Sequence, residues 1–244
     1  METPTYIALS RQLGLRRNMD IIANNLANMN TPAFKAERLI FIEHLTKSTN
    51  DDQQSFAQDI GTMRDTSEGP LVKTENPFDL AISGEGYFTI ETPLGNRYTR
   101  HGRFQLDAES RLVTGQGNPV LDSGGSAINI PANGGRVEVS GDGTLSADSG
   151  PIAKFGLVKF ENDQQLRRSA NNLYIASDDQ VPQDVENPKI AQGMLEESNV
   201  QAISELTMMI KIHRSHQSLG RAIQQEHDRQ IKAISRISRR ASGG

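Results

Sequence analysis

The residues of this chain that could do chemistry are few and scattered. Five histidines are the only candidates to activate a nucleophile near neutral pH. His213 and His216 stand three apart in a helical pattern and could share one face, the beginning of a metal site. No third ligand stands at a set spacing from them, so solvated or interface imidazoles are the better reading. The carboxylate pairs Asp79 with Glu85 and Asp107 with Glu109 would suit glycan hydrolysis if they flanked a groove. Both pairs fall in turn-forming sequence, where acidic residues are commonplace. "SGDGT", Ser140 to Thr144, has the look of a calcium loop but lacks its acidic ladder and closing Glu, and it reads as a hairpin turn. Nucleophile-elbow, Walker A and dinucleotide fingerprints are absent. No cysteine is present, which excludes thiolate chemistry and disulfides. The expectation is therefore a protein that is not an enzyme, with no cofactor and no metal.

What remains is the chemistry of burial and of amides. The 244 residues are 35% hydrophobic and 5% aromatic, without tryptophan, and the mean hydropathy is -0.54. That is polar for a globular chain of this size. A modest β core with helical arms fits better than one thick core. Net charge is -4, which gives no support to a nucleic-acid coat. No apolar run approaches the roughly 18 residues of a membrane span, and the amino terminus has no basic-then-apolar export signal with a cleavage site. Membrane insertion is not expected, and any export would use another route.

The elements follow from periodicity. Thr3-Pro4 starts a helix, in which Leu15, Met19, Ile22, Leu26 and Met29 recur at spacings of 4, 3, 4 and 3, the pattern of a coiled-coil seam. Thr31-Pro32 ends it. Residues 35–75 lack a sustained period and read as an extended connector. Between about 76 and 188, short β-type runs such as "FDLAIS", "GYFTIET" and "AKFGLVKF" alternate with Gly, Asn, Asp and Pro, the signature of an antiparallel sandwich or barrel-like domain. The eight Phe and four Tyr fall mostly in strand-core positions. After Pro188 the helical period returns, with Ser198 as N-cap and Val200, Ile203, Leu206 and Ile210 on one face, and Ile223 further along. That helix would run roughly 40 residues, about 60 Å. The expected fold is α+β: long N- and C-terminal helices forming a coiled-coil-like domain, with a central all-β domain. The expected boundaries are 1–34, 35–75, 76–188 and 189–244.

Two terminal helices with apolar seams and little core of their own predict a subunit interface. Its candidate residues are Leu15, Met19, Ile22, Leu26, Met29, Val200, Ile203, Leu206, Ile210 and Ile223. The stretch "NNLANMN" adds a puzzle, because Asn is a poor helix former. An amide offers two donors and two acceptor sites. Asn24, Asn25 and Asn28 are therefore expected in the interface, bridging neighbouring chains and the connector backbone and fixing register. Head-to-tail packing of identical subunits builds filaments when it does not close. A glycan-binding or peptidoglycan-associated β module is the alternative from a different class.

At this point the sequence resembles a known family. "ALSRQLGLRRNMDIIANNLANMNTPAFKAER" is similar to the amino-terminal signature of the flagellar axial proteins, the rod and hook components of the bacterial flagellum. "PFDLAISGEGYFTIET" and "YTRHGRFQLDAESRLVTGQGNPVLD" resemble their β domain, and "QGMLEESNVQAISELTMMIKIHRSHQSLGRAIQQEHDRQIKAI" their carboxy-terminal helix. Within the family, the modest length and single β domain resemble the proximal rod subunit first, with the distal rod and the hook as alternatives. The resemblance implies a structural subunit that assembles helically into the hollow periplasmic rod of the basal body. The implied partners are itself, other proximal and distal rod proteins and the flagellar type III export apparatus, with no cleaved signal peptide. Thr31, Pro32, Phe34 and Lys35 carry the turn signature. Ala33 departs from the Gly more usual in the family, which bears on whether this turn takes a positive φ.

Overall fold

The computed structural model describes residues 3–47, 53–131 and 135–241. The chain divides into two compact units: Met1–Ala27, Glu37–Met63 and Gln201–Gly244 form the first, and Asn28–Ala36 with Arg64–Val200 the second.

The first unit holds α1 (Thr3–Ala27), α2 (Ala202–Ala241) and two long strands, β1 (Glu37–Lys47) and β2 (Gln53–Arg64), that pair with each other. Among the described residues these are the two α-helices of the chain. They run antiparallel, since Asn25 reaches Glu205 while Gln12 lies against Gly220. Part of the expected connector is therefore regular strand. Ser198 is not the cap of α2: its hydroxyl accepts from the Val200 amide in a turn ahead of the helix.

The expected coiled-coil-like domain is corrected by this arrangement. The helices share their unit with β1 and β2, and the stripe meant to close the seam faces solvent, with Ile203 83% and Ile210 54% exposed. The shielded side of α2 lies about one position away, along Ala202, Glu205, Met209, Ile212, His216 and Leu219. A buried carboxylate must find a donor. Glu205 finds the Asn25 amide at 3.4 Å, and that polar contact lies on the shielded side where an apolar ladder was expected.

The second unit is strand and turn. Its strands begin with β3 (Leu71–Lys73), β4 (Leu80–Ile82), β5 (Tyr87–Thr92), β6 (Gly95–Thr99), β7 (Phe104–Leu106) and β8 (Leu112–Thr114). They continue with β9 (Glu138–Val139), β10 (Thr144–Ala147), β11 (Gly150–Lys154), β12 (Leu157–Lys159) and β13 (Arg167–Arg168). β14 (Tyr174–Ile175), β15 (Gln183–Asp184), β16 (Ile190–Gln192) and β17 (Met194–Glu196) complete the set. The largest sheet has the order β13-β14-β6-β5-β12-β15, and β17 pairs antiparallel with β3. Strand alternation sends Phe88 and Ile90 of β5 into the main core, with Leu80, Phe104, Leu112 and Phe155. Tyr87, on the other face, joins Tyr98, Phe160, Leu166 and Tyr174 in a second cluster. Both clusters are built on edge-to-face rings, Phe88 with Phe104 at 5.1 Å and Tyr98 with Phe160 at 4.8 Å between centroids.

Candidate assembly site

In the first unit, Asn25 is the organising side chain. It is 1% exposed. Its Nδ2 donates to the Glu37 carbonyl and to Glu205, and its Oδ1 accepts from the Glu37 amide. Of the other expected helical contacts, Ile22 is buried, Leu15, Met19, Leu26 and Ile223 are half-buried, and Asn24, Ile203, Leu206 and Ile210 are exposed. Leu15 and Asn18 of α1 with Ile203, Thr207, Met208, Lys211 and Ile212 of α2 line an open groove of about 1000 Å³. Leu9 and Leu13 of α1 are exposed as well.

In the second unit the site is the segment from Asn28 to Ala36. Thr31 donates to Asn28, which is half-buried, while Met29 is exposed. The chain then turns through Ala33, whose φ is 55° and whose Cβ is buried. The departure from Gly thus leaves the positive φ in place. The Ala33 amide donates to the Glu196 carbonyl at 2.8 Å. Phe34 is fully buried beneath the Arg168 guanidinium, 4.0 Å from ring centroid to the guanidinium carbon. Arg168 is itself braced by Asn172, which donates to the Pro32 carbonyl. Asn199 clamps the far end: its Oδ1 accepts from the Ala36 amide, and its Nδ2 donates to the Asp65 and Ser67 carbonyls. Val200 is half-buried.

Lys35 is the chemical centre of this segment. Its ammonium donates to Glu196 at 2.5 Å and to the Ser67 carbonyl at 2.6 Å. Arg100 Nε donates to the second oxygen of Glu196 at 3.0 Å, and the Gly69 amide joins the first oxygen. The side chains of Lys35, Glu196 and Arg100 are 4%, 1% and 7% exposed. Burial alone would push the Glu196 carboxyl up, but Arg100 and Lys35 outweigh it and hold the carboxyl below its ordinary value. Burial lowers the Lys35 ammonium, and Glu196 opposes that shift. Gly69 has to be glycine, because a Cβ there would stand 2.0 Å from the Glu197 carbonyl oxygen.

Glu196, Arg100, Glu205, Asn199, Arg168 and Asn172 were not singled out in the sequence. One signal pointed toward Glu196. A lysine inside the run Ala33-Phe34-Lys35-Ala36 requires a buried anion. Nothing local says that the anion lies 161 residues away.

Comparison with known proteins follows this layout. Residues 6–35 match the family described as "Flagella basal body rod protein", and residues 81–147 match "Flagellar hook protein FlgE/F/G D1 domain". Residues 191–236 match "Flagellar basal body rod FlgEFG protein C-terminal". The chain is 38% identical to the flagellar basal-body rod protein FlgF of Caulobacter vibrioides, over 98% of this chain and 99% of that one. It is 34% identical to FlgF of Mesorhizobium japonicum, over 96% and 97% of the two chains. FlgG of Bacillus subtilis is also 34% identical, over 89% of this chain and 92% of its own. Lys35 and Glu196 fall in the first and third matched segments.

Proposed function

Because this chain belongs to the flagellar basal-body rod protein family, we infer that it builds the rod by packing its two helices against those of neighbouring subunits. It is a FlgF-like structural subunit of the basal-body rod and assembles with other rod proteins. No described helix is long and apolar enough to cross a membrane. Helical self-assembly into a hollow periplasmic shaft, and delivery by the flagellar type III export apparatus, complete the reading. No catalytic step belongs to it.

The observation that carries the reading is the unpartnered apolar stripe on α2. Ile203, Leu206 and Ile210 are exposed together, beside a groove that Met208 and Leu15 extend. Burying one such side chain stabilises an association by about 1.5–3 kcal/mol, so leaving three in water in a finished assembly would forfeit a large share of the interface energy. The interface residues of this proposal are Leu15, Met19, Leu26 and Met29 with Ile203, Leu206, Ile210 and Ile223, backed by Ile22, which its own subunit already buries. Val200 belongs to the same interface, Asn24 and Asn28 set its register, Asn25 holds α1 to its own chain behind it, and the turn Thr31, Pro32, Phe34 and Lys35 supports it. The four expected domain boundaries, with 76–188 as the β portion, belong to the same proposal.

An Ile203→Asp/Ile210→Asp variant tests it in a strain lacking the native gene. The expected result is a chain that is exported and folds its β portion but yields no rod and no swimming. Normal motility from that variant would sink the assignment of the stripe.

A further inference from the structure

We propose that segment 31–36 is a strap that closes onto a socket completed only by residues 195–199, with Glu196 as its latch. The early signature segment of the chain is then locked by a late strand that is ordered without it. The strap has little structure of its own. Within it, the Phe34 amide donates to the Thr31 carbonyl, a single local turn. Its start is tied to Asn28 through the Thr31 amide and hydroxyl. The Asp65 amide donates to the Ala36 carbonyl at 2.8 Å and Asn172 to the Pro32 carbonyl, and the anchors that close it come from far along the chain. The Ala33 amide donates to the Glu196 carbonyl and the Ala36 amide to the Asn199 side chain, while the Asn199 amide donates back to the Phe34 carbonyl at 3.2 Å. A six-residue segment held in this way has no regular ladder to fall back on when residues 196–199 are missing.

Charge makes the dependence sharper. Among the described residues, Glu196 is the single buried anion between two buried cations, Lys35 and Arg100. The other carboxylate near them, Glu68, reaches Arg100 at 4.0 Å and is 44% exposed. Without Glu196, closing the strap would bring the Lys35 ammonium into a closed site next to Arg100, with one carbonyl oxygen as its hydrogen-bond partner. An uncompensated buried charge of that kind is strongly destabilising, so the strap would stay open.

The socket does not need the strap in return. β17 is paired along its length with β3, Leu195 is buried, and the Glu197 amide donates to the Pro70 carbonyl. With Lys35 removed, Glu196 still keeps Arg100 and the Gly69 amide. The strap is therefore the part that opens, and the strand is the template it closes on.

Amide hydrogen exchange on the full-length chain tests this with two variants. In Glu196→Gln, the Ala33 and Ala36 amides should lose nearly all protection. The core amides of Leu112 and Val120 should still exchange at least about a thousandfold more slowly than an unprotected peptide. Lys35→Met gives an independent reading, because it removes the ammonium whose burial is the cost: Lys35→Met/Glu196→Gln should regain at Ala33 and Ala36 the protection that Glu196→Gln alone loses, with the Glu197 amide protected in both. Retained protection at Ala33 and Ala36 in Glu196→Gln, or its failure to return in the double variant, overturns the proposal. So does loss of protection at Leu112 and Val120 together with the strap, because strap and core would then be one cooperative body.

Discussion

The Asn25 side chain and the Glu37 main chain exchange two hydrogen bonds. Nδ2 donates to the carbonyl at 2.9 Å, and the amide donates to Oδ1 at 3.0 Å. Two strand residues make the same exchange across an antiparallel ladder. One asparagine on a helix thus supplies the edge that the first residue of β1 pairs with, and its second donor hydrogen reaches Glu205 on α2. A helix can pair with a strand backbone only through a side chain that carries both a donor and an acceptor, which is why an amide stands here.

Asn25→Asp should be worse than Asn25→Ala. Alanine leaves the Glu37 amide and carbonyl without this partner, at about 1–3 kcal/mol for groups cut off from water. Aspartate keeps an acceptor for the Glu37 amide but turns a carboxylate toward the Glu37 carbonyl and Glu205, where the amide had donated. Denaturant unfolding followed by helical circular dichroism should rank the chains wild type, Ala, Asp in falling midpoint. An Asp variant as stable as wild type would show that the amide does not organise this unit.

The Lys35–Glu196–Arg100 cluster should make the second unit acid-labile. The Glu196 carboxyl is held below its ordinary value in the folded chain, so its contribution is present above the unfolded carboxylate range, near about pH 4.3. That contribution is lost as pH falls through the lower folded value. Lys35 is also lowered, so the folded chain holds that proton less tightly than the unfolded one. Stability therefore rises with pH in the alkaline window between its folded and unfolded values. Urea midpoints at pH 7 and below pH 4 check the acid limb. The gap between wild type and Glu196→Gln should be wide at pH 7 and should narrow in acid. A gap independent of pH would mean that the carboxylate charge is not what holds the cluster.

Much of the second unit was legible in the sequence because strand burial repeats every two residues and its turns carry Gly, Asn and Asp. "GYFTIET" became β5 with both faces covered, and "RLVT" became β8. The rotation of α2 was not legible. Hydrophobic periodicity selects Ile203, Leu206 and Ile210, but the Glu205–Asn25 contact lies on a different side, and it joins residues 180 positions apart. β1 and β2 lie in the stretch read as an extended connector, and their sequences, ERLIFIEHLTK and QQSFAQDIGTMR, carry no strict alternation to mark a buried face. The strap was half legible: Pro32 and the apolar run around Lys35 mark it, while every latch residue lies in another part of the chain.

Ala33 tolerates a positive φ that a β-branched residue would not. At φ 55° with 3% of its surface exposed, the site combines backbone strain with a closed environment. Ala33→Val should cost about 1–3 kcal/mol for overpacking, on a left-handed backbone that a β-branched residue resists more than alanine does. Ala33→Gly relieves the strain but gives up a buried methyl worth about 0.8 kcal/mol, and it should stay close to wild type. Thermal unfolding of the three chains decides the matter. A valine variant that melts with wild type would show that the turn readily adopts another conformation.

Two isoleucines of α2 separate burial within the chain from burial between chains. Ile212 is 7% exposed in the free subunit, whereas Ile203 is 83% exposed. Truncating Ile212 empties space that the chain itself has filled, so Ile212→Ala should lower the stability of the isolated protein by about 2–5 kcal/mol. Truncating Ile203 removes atoms already in water, so Ile203→Ala should leave the isolated protein within about 0.5 kcal/mol of wild type. In an assembled rod the order changes, because the Ile203 variant should lose incorporation without having lost stability. Unfolding midpoints of purified chains, set beside rod yield from the same two variants, separate these effects. If Ile203→Ala instead destabilised the isolated chain as much as Ile212→Ala, the stripe would already be covered within one subunit, and no neighbour would be needed to bury it.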